Sequence, residues 1–532
     1  MDKTSGNRAI DRREFLRLAG AGSAALAALG VAACPDGKLP VTREKPNILY
    51  LMCDQLRADC VGCFGNPVIR TPNLDKIAAG GVRFTRAYTS TPSCTPARSG
   101  LLTGLSPWNH GMLGYGRVAR YYPHELPAEI SRAGYYTFGI GKMHWFPQKS
   151  LHGFHATLVD ESGRVESPGF VSDYRKWFKE QAPDLDPDTT GLGWNDYRSK
   201  PYALPEELHP TCWTGGTAVE FIENYKGNEP FMLKVSFARP HSPYDPPARF
   251  WEAYDESTMP APVVGAWAER YEPVTEEFGN DIWHGKLDPA TVRRSRRGYY
   301  GSVSFIDQQI GMILAALERR KILDNTLIVF FTDHGDMLGD HNLWRKTYAY
   351  EGSARVPLIL RWPRTWGMDD RRGGERAEPV ELRDILPTLL DAAGAPGIAG
   401  LDGRSLLELV RGENRSWREV LDLEHDRCYG DTNHWNALTD GHWKYVYCAY
   451  DGSEQLFDLS NDPHELEDLA GVPGCSAKVL EWRARLTEHL SVRGDFFVKG
   501  DKLQIRGKRR MHYSPNYPGP GAGQIQGEYG EV

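Results

Sequence analysis

The sequence predicts an α/β protein: a doubly wound, mostly parallel sheet within residues 45–404, followed by a smaller α+β unit over 405–532. Three short apolar runs, 47–53, 231–237 and 326–332, are rich in β-branched residues and bounded by polar or turn residues. Buried parallel strands read this way. Segments with helical spacing, 73–79, 125–133, 217–225 and 302–319, lie between them, and strands alternating with helices wind into a parallel sheet. In the second unit, 442–447 reads as a strand, Asp451-Gly452 as a turn, 455–459 as the partner strand and 476–491 as a helix.

The elements follow in order. Asp11-Arg12-Arg13-Glu14-Phe15-Leu16 is a twin-arginine pattern, and the stretch 18–33 after it is too short and too rich in Ala and Gly to span a membrane. This is the pattern of an export signal, so the expectation is a bacterial protein passed by the twin-arginine machinery to the periplasm or cell envelope. The run ends Val31-Ala32-Ala33-Cys34, similar to a lipobox. Cys34 is then either the lipid-anchored mature N-terminus or incidental to cleavage nearby. Residues 1–34 are set aside from the fold. The first strand runs into Asp54-Gln55, the second into Arg239-Pro240-His241 and the third into Asp333-His334. Ligand sites in wound sheets lie beyond the carboxyl ends of the strands, so these distant polar groups should meet in one crevice. A helix over 380–392 closes the first unit, and the chain beyond Tyr513, rich in Pro and Gly, reads as irregular.

Bulk properties exclude some classes. The formal net charge is −7 over 532 residues, which offers no field for nucleic acid, and none is expected as a partner. Nine cysteines, less Cys34 and Cys94, leave an odd seven without paired spacing, so no disulfide framework is expected. Cys60-Val61-Gly62-Cys63 lacks a second metal-binding pair and reads as buried thiols rather than a zinc or redox site.

Two constellations carry chemistry. Asp54, Gln55, Asp333 and His334 offer carboxylate and amide oxygens with one imidazole, a set suited to a hard divalent ion such as Ca²⁺ or Mg²⁺ rather than zinc. The plainer reading of any one of those Asp residues is a cap or loop hydrogen bond. Cys94-Thr95-Pro96-Ala97-Arg98 has the Pro of a first helical turn. The helix N-terminus supplies unpaired N–H groups, and Arg98 lies one turn on. A negative group at residue 94, either a thiolate or an oxygen nucleophile made from the cysteine, is favoured there.

The stretch Cys94-Thr95-Pro96-Ala97-Arg98-Ser99-Gly100-Leu101-Leu102-Thr103-Gly104 resembles the type I sulfatase signature, C-x-P-x-R-x-x-x-x-T-G. Further blocks in register are Gly134-Tyr135-Tyr136-Thr137, Gly141-Lys142-Met143-His144, His241, Asp333-His334-Gly335-Asp336, Gly339-Asp340-His341 with Lys346, and Asp384-Ile385-Leu386-Pro387-Thr388. Phe457-Asp458-Leu459 with Asp462-Pro463 resembles the family's C-terminal hairpin, and the resemblance spans about residues 45 to 470. It implies an alkaline phosphatase-like fold and oxidation of Cys94 to Cα-formylglycine (3-oxoalanine) by a formylglycine-generating maturation enzyme. It also implies Ca²⁺ held by Asp54, Gln55, residue 94, Asp333 and His334. The implied reaction begins with one oxygen of the aldehyde hydrate, oriented by Arg98, attacking the sulfate sulfur. Lys142 and Lys346 spread the charge, His241 protonates the departing oxygen and His144 accepts a proton from the second hydroxyl. Asp54-Gln55 and Asp333-His334 depart from the Asp-Asp and Asp-Asn pairs of many members, which bears on the identity of the ion.

The block order looks most like bacterial polysaccharide and glycosaminoglycan sulfatases, so a sulfated saccharide is the expected substrate. Arg239, Tyr244, His434 and Trp435 are its expected contacts. The basic residues Lys499, Lys502, Arg506, Lys508, Arg509 and Arg510 are either further contacts or a solvated face. The nearest alternative is a phosphonate or phosphate ester hydrolase of the same superfamily, which Lys142 and His144 disfavour. A saccharide-binding lipoprotein without turnover is the alternative from another class; it would lack residues such as Cys94 or Lys346, and both are present.

Overall fold

The computed structural model describes residues 45–275, 279–413, 416–426 and 429–527. The twin-arginine pattern and Cys34 lie outside them. The eight-stranded main sheet has the order β5-β4-β6-β1-β7-β8-β2-β9. Its strands are β1 (Asn47–Asp54), β2 (Val82–Phe84), β4 (Tyr136–Gly141), β5 (Ala156–Val159), β6 (Phe231–Pro240), β7 (Thr326–Thr332), β8 (Leu358–Arg361) and β9 (Gly374–Arg376). β5, β4, β6, β1 and β7 run parallel, and β8 pairs antiparallel with both β7 and β2. Every residue of β6 and β7 is buried, as continuous apolar runs covered on both faces require. A short parallel pair, β3 (Ala87–Tyr88) with β10 (Val380–Glu381), sits beside it.

Helices cover both faces. One face carries the Cys94–Thr103 helix with Leu386, Leu389 and Leu407, and the other carries Phe221, Ile306, Ile310 and Ile313. The last three belong to one helix, Pro289–Arg319, which begins thirteen residues ahead of the 302 start read from the sequence. Its first turns are basic and lack an apolar stripe. They are held by polar contacts instead, Arg296 reaching Leu338 O and Asp340. The helix expected over 380–392 starts at Ile385; the residues before it form β10 and a 3₁₀ turn closed by a Glu381/Asp384 capping box.

The C-terminal sheet is antiparallel, β11 (Leu421–His425), β12 (Trp435–Thr439), β13 (Trp443–Cys448) and β14 (Glu454–Asp458) in that order, with the Ser476–Ser491 helix packed through Val479, Trp482, Leu486 and Leu490. The Leu406–Arg411 helix, beyond residue 404, packs in the first core. The two units share a further cluster, with Tyr348 and Tyr350 against Leu423, Trp435 and Phe457. Cys60 is in the core, and Cys63 donates its N–H to Asp75. Among the described residues no helix is long and apolar enough to cross a membrane.

Candidate active site

Parallel strands deliver their last residues to one side of the sheet. β1 ends in Asp54, β7 leads into Asp333 and His334, β6 into His241, and β4 into Lys142 and His144. Gly141 is required for that last delivery: its φ is +90°, and a Cβ would lie 2.1 Å from Ser236 O on β6. Gln55 and His144 also have positive φ, 68° and 61°, a cost met at positions where a side chain must be aimed. Cys94 opens its helix at the mouth of this crevice, and all ten residues of the helix are buried.

The geometry centres on Cys94 Sγ. His334 Nε2 lies 3.2 Å away, Lys346 Nζ 3.3 Å, Asp54 Oδ1 3.8 Å and Lys142 Nζ 3.9 Å. Arg98 spans the floor, donating from Nε to Asp333 Oδ2 (2.9 Å), from Nη2 to Asp54 Oδ2 (3.0 Å) and from Nη1 to Lys142 O (2.7 Å). Lys142 Nζ pairs with Asp54 Oδ2 at 2.5 Å, and Lys346 Nζ donates to Gln55 Oε1 at 2.8 Å. Burial alone would raise the Asp54 carboxyl, but Lys142, His241 and Arg98 hold it well below its usual range. Burial and Asp54 push the Cys94 thiol up; Lys142, Lys346 and His334 outweigh them and bring it down to about 7. An anion on residue 94 is therefore stabilised, as its neighbours implied.

Asp54, Cys94, Asp333 and His334 each point a donor atom into one group spanning no more than 4.8 Å. His334 Nδ1 lies 2.9 Å from Gly335 O and so carries the proton, which leaves the Nε2 lone pair facing that group. Two carboxylates and one imidazole fit a hard divalent cation. Gln55 stands beside them with its oxygen on Lys346 and its amide N–H on Asp336.

His241 stacks on Trp194, with ring centroids 4.3 Å apart, and lies 3.0 Å from Ser242 O through Nδ1. Among the described residues nothing hydrogen-bonds its Nε2. Burial, then Lys346 and Lys142, hold its pKa well below 6.5. His144 places Nε2 against Arg164 and 3.3 Å from Tyr115 Oη, and burial followed by Arg164 lowers its pKa as well. Trp194 also covers Lys142 at 4.6 Å, and Arg164 lies 5.1 Å from the same ring. Trp194, Arg164 and Tyr115 were not read from the sequence. They sit in irregular segments, where no periodicity marks a functional residue.

Of the expected saccharide contacts, only Arg239 lines an opening beside this group, a cavity of about 250 Å³ shared with Trp194 and Arg164. The other three are corrected. Tyr244 is buried with its hydroxyl on Asp336 (2.6 Å), and Trp435 is a core residue donating to Thr347 O (2.9 Å). His434 is buried 3.2 Å from Asp426. Aromatic and histidine side chains look alike in sequence whether they pack or bind. The basic run does not form one face: Arg506 is buried on Asn436 and Phe497, while Lys499, Lys502 and Lys508 are exposed.

Residues 46–395 match the sulfatase family, and 339–491 match the C-terminal region described as N-sulphoglucosamine sulphohydrolase. An arylsulfatase of Clostridium perfringens is 38% identical over 86% of this chain and 97% of its own. An N-acetylglucosamine-6-O-sulfatase of Bacteroides thetaiotaomicron is 25% identical over 87% and 89%. Among solved structures, the phosphonate monoester hydrolase of Agrobacterium radiobacter superposes with a TM-score of 0.69 at 26% identity, covering 85% of this chain and 96% of that one.

Proposed function

The chain belongs to the sulfatase family and hydrolyses sulfate esters, and we propose that its substrate is a sulfated carbohydrate, with Cys94 matured to Cα-formylglycine and Ca²⁺ at the acidic group. The observation that carries this reading is the crowding of Arg98, Lys142, Lys346, Asp54, Asp333 and His334 around one cysteine at a helix start. Cys94 Sγ stands in for the oxygens of the hydrated aldehyde, which supply a nucleophile and a second hydroxyl through which the enzyme turns over. Asp54, Asp333 and His334 would hold the cation, with Gln55 joining if its oxygen is released from Lys346; such an ion would supply positive charge toward the sulfate oxygens.

This chain's own residues do the rest. Lys142 and Lys346 flank residue 94 and spread the charge of the bound sulfate. Arg98 fixes the two carboxylates so that neither turns toward the substrate. His241 Nε2 is the site for the proton handed to the leaving alcohol. Burial and the two lysines keep it neutral in the free enzyme, and an incoming sulfate offsets those lysines and favours its protonation. His144, held neutral by burial and Arg164, is the matching proton acceptor. The carbohydrate assignment is supported by the adjoining cavity, where Trp194 offers a flat face, and by the N-acetylglucosamine-6-O-sulfatase relative.

Mass spectrometry of the peptide across residue 94, with sulfate release measured on sulfated sugars, tests this reading. An unmodified thiol in enzyme that still turns over would refute it. Metal titration after chelation separates Ca²⁺ from Mg²⁺. A second reading, phosphonate ester hydrolysis, is favoured by the likeness to the Agrobacterium enzyme. It predicts kcat/KM on a phosphonate monoester above that on the matched sulfate. We also propose export by the twin-arginine route with a lipid on Cys34. Cys34→Ala should then move the protein from the membrane fraction to the soluble one.

A further inference from the structure

The cavity beside Trp194 has a chemistry of its own. Asp160, the residue after β5, lies on its wall with its backbone N–H on Gly141 O, one residue before Lys142. Asp160 is 1% exposed; its Oδ1 accepts the Ser162 N–H at 2.9 Å. Among the described residues nothing hydrogen-bonds Asp160 Oδ2, Ser162 Oγ or Arg239 Nη1, although all three atoms are buried. Asp160, Ser162 and Arg239 thus line one small space, and each keeps a buried polar atom without a partner among the described residues. Buried polar atoms left in that state are costly, so the arrangement calls for a ligand that supplies the missing bonds. Adjacent hydroxyls do so, since each can donate to Asp160 and accept from Arg239.

Charge decides which ring fits. Arg239 is already matched by Asp245, through Nε to Oδ1 (2.8 Å) and Nη2 to Oδ2 (3.3 Å). Arg175 is matched by Asp188, and Arg164 by Glu161 and Glu166. Each arginine on the wall is therefore balanced in charge by an acid, although Arg239 Nη1, Arg164 Nε and Arg175 Nε keep N–H groups without a partner among the described residues, and Asp160 is one further carboxylate. A second anion brought here would face it with no arginine left unbalanced in charge. We propose that this cavity binds the sugar that carries the sulfate ester and selects a neutral ring with free neighbouring hydroxyls over one bearing a further acidic group. The inference rests on the carbohydrate reading above.

The test is steady-state kinetics of the matured, metal-loaded enzyme on monosulfates of methyl galactoside and methyl glucoside, on monosulfated methyl glucuronide, and on 4-nitrophenyl sulfate, which lacks the hydroxyls. The neutral sugar sulfates should exceed the glucuronide by at least about tenfold in kcat/KM. Asp160→Asn, which keeps the bond to the Ser162 N–H, should lower kcat/KM on the neutral sugars about 10- to 100-fold through KM and narrow the gap to the glucuronide. Its activity on 4-nitrophenyl sulfate should stay within about threefold of the parent, a split that a merely structural role would not produce. Ser162→Ala, a milder change, should shift the same ratio in the same direction by about threefold. A parent enzyme that prefers the glucuronide, or variants that scale all substrates together, would overturn the inference and leave the carbohydrate reading standing. Turnover of 4-nitrophenyl sulfate with no activity on any sugar sulfate would remove both.

Discussion

Arg98→Gln perturbs the floor of the site, and its magnitude follows from two buried ion pairs. The Arg98 side chain is 1% exposed and donates to Asp333 Oδ2, Asp54 Oδ2 and Lys142 O. A glutamine is shorter and uncharged, so Asp333 Oδ2 loses its guanidinium, while Oδ1 keeps the backbone N–H groups of Gln55 and His334. Removing one partner of a buried ion pair costs about 3–5 kcal/mol. The 532-residue chain unfolds with an entropy of about 1 kcal/mol/K, so the apparent midpoint should fall by roughly 3–5 °C in a chelating buffer. With excess Ca²⁺ the ion neutralises the same carboxylates, and the deficit should shrink to less than about half. Differential scanning calorimetry of parent and variant, with chelator and with calcium, measures both numbers. Equal deficits in the two buffers, or a loss below about 1 °C, would refute the argument that Arg98 and a cation answer to the same two carboxylates.

Three further outcomes follow from the site and its surroundings. Cys94→Ala should abolish sulfate release while leaving the melting midpoint within about 2 °C, because a small buried thiol contributes little to packing; residual turnover above about 1% of the parent would contradict the nucleophile assignment. Lys346→Ala removes the cation 3.3 Å from residue 94 and should reduce kcat/KM about 10²- to 10³-fold, with the fall seen in kcat as well as KM. Stability should decline as pH drops from 7.5 to 5.5: His110, His144, His209, His241, His341, His425 and His434 are all held below 6.5 chiefly by burial. The unfolded chain then binds protons that the folded one refuses, and their contribution is lost below about 6.5. Burial raises Glu381 and Glu465 to about 7 and Asp307 to about 6 and also raises Asp160, while Asp333 and Cys94 outweigh burial to raise His334; these act in the opposite sense as pH falls, but five groups do not offset seven, and a flat or rising midpoint on acidification would count against this balance.

The central strands were legible because burial on both faces leaves no choice but apolar residues, and their polar last residues stand out by contrast. Asp54, Asp333, His334 and His241 could be placed in one crevice for that reason alone. Cys94 and Arg98 were legible from a helix-start pattern. What could not be read is whatever depends on loops meeting in space. Trp194 reaches Lys142 and His241 only because the 191–199 segment folds back over the strand ends, and Asp160 acquires meaning only beside Arg239. Tyr244 failed as a saccharide contact because its hydroxyl serves Asp336, a pairing with no trace in spacing. The first turns of the Pro289–Arg319 helix were missed because arginines there bury by hydrogen bonding to carbonyls, which leaves no apolar stripe.

The guanidinium across Asp54 and Asp333 has a consequence for the order of assembly. Two facing carboxylates would ordinarily repel each other and hold the strand ends open until an ion arrived. Here the chain brings its own counter-charge, so β1 and β7 can close during folding without a bound cation. A cation held there, as proposed, would dock into a finished cradle, and its affinity would be set against carboxylates already half neutralised by an arginine rather than against bare repulsion.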